Sequence, residues 1–279
     1  MNSSADLHIH TYFSDSPASP QEVVKEAIEK GLACIAITDH DTVDGVNPTQ
    51  EAAQSTSLEV LSGVELSSDL DGKDIHILGY FLNAPGPILT DVLIQMQDAR
   101  IQRIQKMINK LKTLGIQNIS LEEVCRLTKS RSVGRPHLAM VLYEKGYVVN
   151  VREAFGRFIN DDGPAYVSKF NQTPYRAIEL IRQSGGAAVL AHPMITRRDE
   201  LIPKMVEAGL DGIEVYYPNF SANTSTFYET MAKKHNLLMT GGSDAHGKAK
   251  DNTFIGKVRI PYEHVQHLKD LIQSRSTNV

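Results

Sequence analysis

The chain has few features that would indicate a membrane protein, a disulfide-rich protein or a general polyanion binder. No apolar run approaches the roughly 20 residues of a membrane span, and residues 1–6 hold neither the basic nor the apolar part of a signal peptide, so we expect a cytoplasmic protein. Only two cysteines are present, Cys34 in an apolar run and Cys125 in a helical pattern, where we expect core residues without a disulfide. A net charge of -4 argues against general binding to polyanions.

The charge is distributed unevenly along the chain. The segment from Arg100 to Arg135 contains nine basic and two acidic residues, a net charge of +7, which leaves -11 for the remainder. An acidic remainder that holds metal cations beside a basic segment that holds phosphate is the division that a phosphoesterase needs. A solvated helix face is the alternative explanation for the basic residues.

Short apolar runs alternate with amphipathic stretches up to about residue 87 and again after residue 173, which is typical of βαβ units. The turn dipeptide Asp71-Gly72 predicts a hairpin between two of the runs. A chain of 279 residues that is 41% hydrophobic is long enough for one α/β barrel with an insertion. About eight strands are expected, over residues 5–10, 33–38, 59–67, 74–81, 187–191, 212–216, 237–241 and 254–260.

Residues 88–168 show helical patterns without strands between them. In 91–114, apolar residues at helical spacing include Ile101, Ile104 and Ile108, and Gly115 ends the pattern. Further helices are expected over 121–129, 136–145 and 151–160. We therefore expect a distorted (β/α) barrel formed by residues 1–87 and 169–279, with residues 88–168 as a helical insertion domain that shapes substrate specificity.

Residue types that bind metals fall at or near the ends of the expected strands. His8 and His10 alternate along the first strand, so their side chains leave the same face about 7 Å apart at the Cα atoms. In a barrel, the carboxyl ends of the strands form the active-site face. Burial of so many ionisable groups together is unfavourable unless a cation neutralises them. We therefore predict nine metal ligands: His8, His10, Asp15, His40, Glu65, His76, His192, Asp244 and His246.

Nine ligands are more than one ion uses, so we expect two or three divalent ions. Imidazole and carboxylate ligands without thiolate suit Mn²⁺, Fe²⁺ or Zn²⁺. Clusters of this kind activate water and neutralise the oxygens of a phosphoester. Glu65 suits a bridging position because a carboxylate has two oxygens to share. For any single residue, such as His76, a hydrogen-bonded core histidine is the alternative.

The order and spacing of these motifs resemble the polymerase and histidinol phosphatase (PHP) superfamily. The matching motifs are Asp6-Leu7-His8-Ile9-His10-Thr11, Ser14-Asp15, Thr38-Asp39-His40-Asp41, Gly63-Val64-Glu65, Ala191-His192-Pro193 and Ser243-Asp244-Ala245-His246. The chain departs from many members at Ser16, where they have glycine. The resemblance implies a distorted (β/α)7 barrel of the TIM type and a trinuclear site, with Mn²⁺ as our first expectation.

The resemblance also implies how the residues share their roles. It would place His8, His10, Glu65 and Asp244 on one ion, Asp15, His40 and His246 largely on another, and His76 and His192 among the second and third. Catalytic roles are expected for Asp15, His40, Glu65 and His192. We expect Asp6, Asp39 and Asp41 to orient the ligand imidazoles.

Motifs in the insertion resemble one branch of the superfamily. They are Gly134-Arg135-Pro136-His137, Ala154-Phe155 and Ala165-Tyr166-Val167-Ser168-Lys169. Members of this branch remove the 3′-phosphate of nucleoside 3′,5′-bisphosphates or trim 5′-phosphorylated short RNA from the 5′ end, by metal-bound hydroxide. We expect a nucleotide or short oligoribonucleotide as substrate, contacted by Arg135, His137 and Lys169, and no obligate protein partner. The planar fork of an arginine suits a phosphate.

Two alternatives remain at this point. The barrel motifs also allow a histidinol-phosphate phosphatase or another small phosphomonoesterase, although the helical insertion with Arg135 argues against that. A non-catalytic metal-binding module accessory to nucleic-acid machinery is the third hypothesis, although competent residues occupy all nine ligand positions.

Overall fold

The computed structural model describes residues 3–168, 172–247 and 254–276. One sheet runs through it, in the order β7-β6-β5-β4-β3-β2-β1-β8. The strands are β1 (Ser4–Ile9), β2 (Cys34–Ile37), β3 (Glu59–Leu70), β4 (Lys73–Phe81), β5 (Ala187–Leu190), β6 (Gly212–Tyr216), β7 (Leu238–Gly241) and β8 (Ile260–Pro261).

Helices cover this sheet and form most of the segment between β4 and β5. The α-helices are α1 (Pro20–Glu29), α2 (Val46–Ala53), α3 (Pro87–Thr113), α4 (Leu121–Cys125), α5 (Arg135–Glu144), α6 (Val151–Ala154), α7 (Pro174–Gln183), α8 (Pro193–Thr196), α9 (Ile202–Glu207), α10 (Ala222–Lys234) and α11 (Tyr262–Ser276). A π-helix, Phe155–Ile159, continues α6, and a 3₁₀ turn, Asp199–Leu201, precedes α9. Within the described residues no helix combines the length and the apolar character that crossing a membrane requires.

The sheet closes almost completely into a barrel. Strands β1 to β3 pair in parallel, as do β5 to β7, whereas β4 is antiparallel to both of its neighbours. Closure occurs where Ile9, at the end of β1, bridges in parallel to Ala245, which follows β7. The strands enter the barrel core with entirely buried runs such as Cys-Ile-Ala-Ile in β2. The expectation of a distorted α/β barrel with helices inserted after its fourth strand is confirmed.

Local signals account for several element boundaries. Ser19 and Glu22 form a capping box at the start of α1, and Pro20 occupies the first turn. The predicted hairpin is confirmed, because Leu70 pairs with Lys73 across Asp71 and Gly72. Both turn residues have positive φ, 55° and 75°, which gives the turn the twist that two adjacent antiparallel strands need.

The strand expected over 254–260 is wrong for most of its length. Gly256 has φ of 74°, a left-handed conformation that interrupts a strand, and its N–H donates to Asp6 Oδ2 at 2.8 Å. The Val258 N–H donates to Ser243 Oγ at 3.0 Å. These backbone groups therefore bind side chains from the barrel instead of a neighbouring strand, and β8 is only two residues long. Helix α2 was not expected; of its three buried residues, Val46, Thr49 and Ala53, only two are apolar.

The long helix α3 belongs to two hydrophobic cores. Its first half sends Leu89, Leu93 and Met96 into the barrel core. Its second half sends Ile104, Met107, Ile108 and Leu111 into a separate cluster formed with α4, α5 and the segment up to residue 167. Both cysteines are free thiols, Cys34 buried and Cys125 half-buried, as expected.

Candidate metal centre and adjoining cavity

The structure brings all nine predicted ligands together at the carboxyl end of the barrel. His8 lies in β1, Glu65 in β3 and His76 in β4, and the other six lie just after β1, β2, β5 or β7. Nitrogen and carboxylate oxygen atoms of eight of them form three groups in which all donor atoms lie within 4.8 Å of one another. The groups are His10, Asp15, His40 and His246; His8, His10, Glu65 and Asp244; and His40, Glu65 and His76.

Glu65 is the centre of this arrangement and is almost fully buried. Its Oε1 lies 2.7 Å from His76 Nδ1 and 3.0 Å from His192 Nε2. Its Oε2 lies 3.1 Å from His40 Nδ1, 3.2 Å from His10 Nε2 and 3.3 Å from His8 Nε2. Each carboxylate oxygen therefore faces a different set of imidazoles, which is the geometry that a shared ligand requires.

The donor atoms fit divalent metal ions. His10 Nε2, His40 Nδ1, His192 Nδ1 and Asp15 Oδ1 are buried, and none of them has a hydrogen-bond partner among the described residues. Several of these atoms lie 3 to 4 Å from another candidate ligand atom without the alignment of a hydrogen bond. His10 Nε2, for example, lies 3.2 Å from Glu65 Oε2. Buried polar groups are rarely left without partners. Converging imidazole nitrogens and carboxylate oxygens are a ligand set that Mn²⁺, Fe²⁺ and Zn²⁺ accept.

The protonation equilibria of the cluster reflect its mixed charges. Burial alone would raise the pKa of Glu65, but the imidazoles of His40, His76 and His8 hold it well below its usual value. Burial lowers the pKa of His40 well below its usual range, despite the attraction of Glu65 and Asp15. The carboxylates are therefore ready to bind cations near neutral pH, and the His40 imidazole is neutral there.

Three residues at the strand ends have left-handed backbone conformations. The φ angles are 26° at His192, 47° at Asp244 and 52° at Asp41. Such conformations are unfavourable for residues other than glycine and persist where surrounding contacts fix them, often at functional sites. Here they turn the chain sharply at the point where each strand reaches the cluster.

Two residues, one in β6 and one directly after it, support the cluster, and the sequence predicted neither of them. Glu214 is fully buried in β6, and its Oε1 lies 3.0 Å from His8 Nδ1. Tyr217 follows β6 and donates its hydroxyl to Asp244 Oδ2 at 2.7 Å. An acidic residue inside the apolar strand Gly-Ile-Glu-Val-Tyr was the available signal, because a carboxylate in such a position needs a partner.

The three aspartates that were expected to orient imidazoles bind other groups. Asp6 accepts hydrogen bonds from the backbone N–H groups of Ser243 and Gly256, each at 2.8 Å. Asp41 accepts from the Ser67 N–H at 2.7 Å and pairs with Arg100. Asp39 accepts from Thr11 and from Ser14 Oγ, which lies 3.3 Å from His10 Nδ1. The expectation is therefore wrong for Asp6 and Asp41, and Asp39 reaches an imidazole only through Ser14.

A cavity of about 220 Å³, which we call the arginine cavity, opens beside the cluster. Three candidate ligands, Asp15, His40 and His76, line it together with three arginines from the insertion: Arg100, Arg103 and Arg135. The cavity therefore lies where the basic segment, residues 100–135, meets the acidic remainder of the chain.

The three arginines differ in how many of their N–H groups already donate hydrogen bonds within the protein. Arg100 binds Asp41, Ser67 Oγ and the Val133 carbonyl. Arg135 donates to Asp161 Oδ1 at 2.6 Å and lies over the ring of Phe155.

Arg103 is buried and donates from Nε to the Val167 carbonyl at 2.7 Å, whereas its Nη2 has no hydrogen-bond partner among the described residues. Arg103 therefore lines the arginine cavity and keeps one buried donor without a partner among the described residues.

The other two predicted substrate contacts have different positions. His137 is buried inside the start of α5, where its Nδ1 accepts the Gly134 N–H at 2.9 Å, and it does not line the arginine cavity. Its ring thus caps a helix. Lys169 lies outside the described residues.

Known proteins share both the motifs and the architecture of this chain. The PHP domain family model matches residues 6–86. A 5′-3′ exoribonuclease from Escherichia coli is 32% identical over 86% of this chain and 84% of its own length. A 3′,5′-nucleoside bisphosphate phosphatase from Chromobacterium violaceum is 29% identical over 90% of both chains.

Two further matches extend the comparison. A phosphoribosyl 1,2-cyclic phosphate 1,2-diphosphodiesterase from Eggerthella lenta is 28% identical over 92% of this chain and 98% of its own length. A crystal structure from Bifidobacterium adolescentis, described as a metal-dependent phosphoesterase, superposes with a TM-score of 0.85 at 29% identity, covering 95% of this chain and 94% of that one. With its barrel, its cluster of candidate ligand side chains and these relatives, the chain belongs to the PHP family of phosphoesterases.

Proposed function

We propose that this phosphoesterase hydrolyses nucleotide substrates that carry two phosphates one nucleoside apart. It would remove the 3′-phosphate of a nucleoside 3′,5′-bisphosphate, or cleave the first phosphodiester of a short 5′-phosphorylated RNA. The observation that carries this proposal is the arginine cavity, which candidate metal ligands and three arginines line together. The two reactions are chemically alike, because both cut at the 3′-phosphorus while a 5′-phosphate is bound nearby.

The nine candidate ligands would hold two or three divalent ions, with Mn²⁺ as the first choice. When bound, such ions supply a water of lowered pKa and neutralise the oxygens of the phosphoester that is cut. Glu65 would be shared between ions, since its two oxygens face different imidazoles. Asp15, His40 and His76 line the cavity, so they would lie closest to the reacting phosphate.

The arginines would hold the second phosphate. Burial lowers the pKa of Arg103 to about 10, so its guanidinium keeps its charge at neutral pH. The bond from Nε to Val167 fixes the guanidinium plane, and a phosphate in the cavity would accept from Nη2. Arg100 and Arg135 add positive charge to the same wall, although carboxylates partly neutralise both of them. Because its ring is bound to backbone, His137 has no part in this proposal.

The size of the cavity limits what it would enclose. Its volume of about 220 Å³ is below the roughly 300–1,000 Å³ of pockets that surround whole drug-sized ligands. It suits phosphate and sugar groups, and the base would lie outside it. Hydrolysis would then depend on the positions of the phosphates more than on the identity of the base.

The test is a substrate panel for the Mn²⁺-loaded protein, with metal content measured on the same sample. The panel contains adenosine 3′,5′-bisphosphate, 3′-AMP, short RNA with and without a 5′-phosphate, histidinol phosphate and phosphoribosyl 1,2-cyclic phosphate. We expect the bisphosphate and the 5′-phosphorylated RNA to be turned over fastest. Glu65→Gln should abolish turnover, while the matched substitution Glu229→Gln, on α10, should not.

Other outcomes would redirect or refute the proposal. Preference for histidinol phosphate would favour the second hypothesis, and preference for the cyclic phosphate would favour an activity like that of the Eggerthella lenta relative. A reconstituted protein that binds no transition metal and hydrolyses nothing in the panel would favour the accessory-module hypothesis.

A further inference from the structure

Glu214 contacts two candidate ligands that come from different strands. Its Oε1 lies 3.0 Å from His8 Nδ1, and its Oε2 accepts the backbone N–H of His192 at 2.7 Å. Its side chain is fully buried. Among the described residues, it forms an ion pair with the His8 imidazole. The carboxylate therefore lies behind the cluster and joins the ends of β1 and β5 from its position on β6.

The first contact determines which nitrogen of His8 is available to a metal. A carboxylate only accepts hydrogen bonds, so the bond to Glu214 requires that His8 Nδ1 carry a proton. In the neutral imidazole, Nε2 is then the atom with a lone pair. That atom faces the cluster, 3.3 Å from Glu65 Oε2 and 3.5 Å from Asp244 Oδ1.

The second contact fixes the backbone of His192. This residue has φ of 26° and ψ of 61°, outside the favoured regions, so a strong local contact is needed to keep it there. The bond from its N–H to the Glu214 carboxylate is short and buried. It holds the residue where the imidazole Nε2 lies 3.0 Å from Glu65 Oε1.

We propose that Glu214 is a positioning residue that prepares His8 and His192 together for metal binding. The inference rests on the proposed function in one respect, that the cluster binds divalent ions. Carboxylates that orient metal-bound histidines typically contribute about 10- to 100-fold to metal affinity. Because this carboxylate serves two ligands, its loss should weaken more than one of the bound ions.

An isosteric substitution separates this role from simple packing. In Glu214→Gln the side chain keeps its shape, but one end becomes a donor. If the amide NH₂ faces His192, two donors meet there. If it faces His8, the imidazole must accept at Nδ1, which puts the proton on the nitrogen that faces the cluster. Either orientation disrupts one of the two ligands. Glu229→Gln is the matched control, since Glu229 accepts from the Tyr216 hydroxyl at 3.0 Å outside the cluster.

The experiment is Mn²⁺ titration by calorimetry of metal-stripped wild type and both variants, after circular dichroism has shown that each is folded. We expect Glu214→Gln to bind Mn²⁺ about 10- to 100-fold more weakly and with reduced stoichiometry, and Glu229→Gln to match the wild type. Wild-type affinity in Glu214→Gln, or an equal loss in both variants, would overturn the inference. A wild type that binds no Mn²⁺ would instead contradict the proposed function.

A second measurement on the unaltered protein does not depend on the folding of a variant. In the Zn²⁺-loaded wild type with ¹⁵N-labelled histidine, the His8 resonances, assigned by comparison with His8→Gln, should show a protonated Nδ1 and a metal-bound Nε2. A metal-bound Nδ1 at His8 would overturn the proposed role of Glu214.

Discussion

Substitution of Arg103 by glutamine tests how the second phosphate is bound. The Nη2 of Arg103 is a buried donor without a partner among the described residues, and the Arg103 side chain lines a cavity together with two more arginines. Glutamine removes the charge and this donor from the cavity. We expect the variant to lose activity on adenosine 3′,5′-bisphosphate and to lose little on 3′-AMP, which has no second phosphate.

The size of the loss follows from the contact. A hydrogen bond to a charged group contributes about 1.5–3 kcal/mol, and each 1.4 kcal/mol changes kcat/KM by about tenfold. The variant should therefore lose about 10- to 150-fold in kcat/KM on the bisphosphate. The preference for bisphosphate over 3′-AMP should narrow by the same factor.

Steady-state phosphate release from both substrates, at fixed Mn²⁺, measures this ratio. Arg157→Gln is the matched control, because Arg157 belongs to the same insertion but lies exposed beside Glu153. It should leave both rates unchanged. Equal losses on the two substrates in Arg103→Gln would refute the assignment of Arg103 to the second phosphate.

Three further predictions concern the same site. Arg135→Ala should weaken bisphosphate hydrolysis about fivefold, as expected for one partly screened charge, and leave an aryl phosphate unaffected in parallel assays; equal losses would remove Arg135 from substrate binding. Although burial lowers it, the attraction of the Asp244 and Glu65 carboxylates raises the pKa of His10 to about 9, above the unfolded value of 6.5. The metal-free protein should therefore lose about 3 kcal/mol of stability as pH rises from 6.5 to 9. A melting temperature, measured by calorimetry, that instead rises over this pH range would contradict the prediction. Gly242→Ala should destabilise the fold by about 1–3 kcal/mol in denaturant titrations, since a Cβ there would lie 2.4 Å from the His8 backbone nitrogen, whereas Gly156→Ala, with open space around it, should not.

The convergence of the candidate ligands was predictable from the sequence because each lies in or next to an apolar run. Such runs are strands, and the parallel strands of a barrel end on one face. His40 and His192 were therefore expected on the same face, independently of the conformation of the loops between them. The roles of Glu214 and Asp41 were not predictable, because they depend on which side chain faces them across the barrel. No local pattern records that contact.

The substrate contacts show the same limit. His137 follows Arg135 by two residues, and in a helix two such residues point in different directions, so His137 turns inward to cap α5 while Arg135 faces the cavity. The basic segment was evident from composition. The donor that remains available on Arg103 became evident only with the positions of Val167 and the cavity wall.

Helix α3 gives the site a fixed length scale. Leu93 and Met96 anchor it in one core and Ile104 in the other, so Arg100 and Arg103 lie in the stretch where the helix passes between the two cores. A helix packed at both sides of this stretch has little freedom to tilt or rotate. Deletion of one residue there would turn the following arginine by about 100° and shift it by about 1.5 Å. The distance between the phosphate that is bound and the phosphate that is cleaved would thus be set by the backbone of α3. An enzyme for substrates with a longer or shorter distance between phosphates would need a different register of this helix.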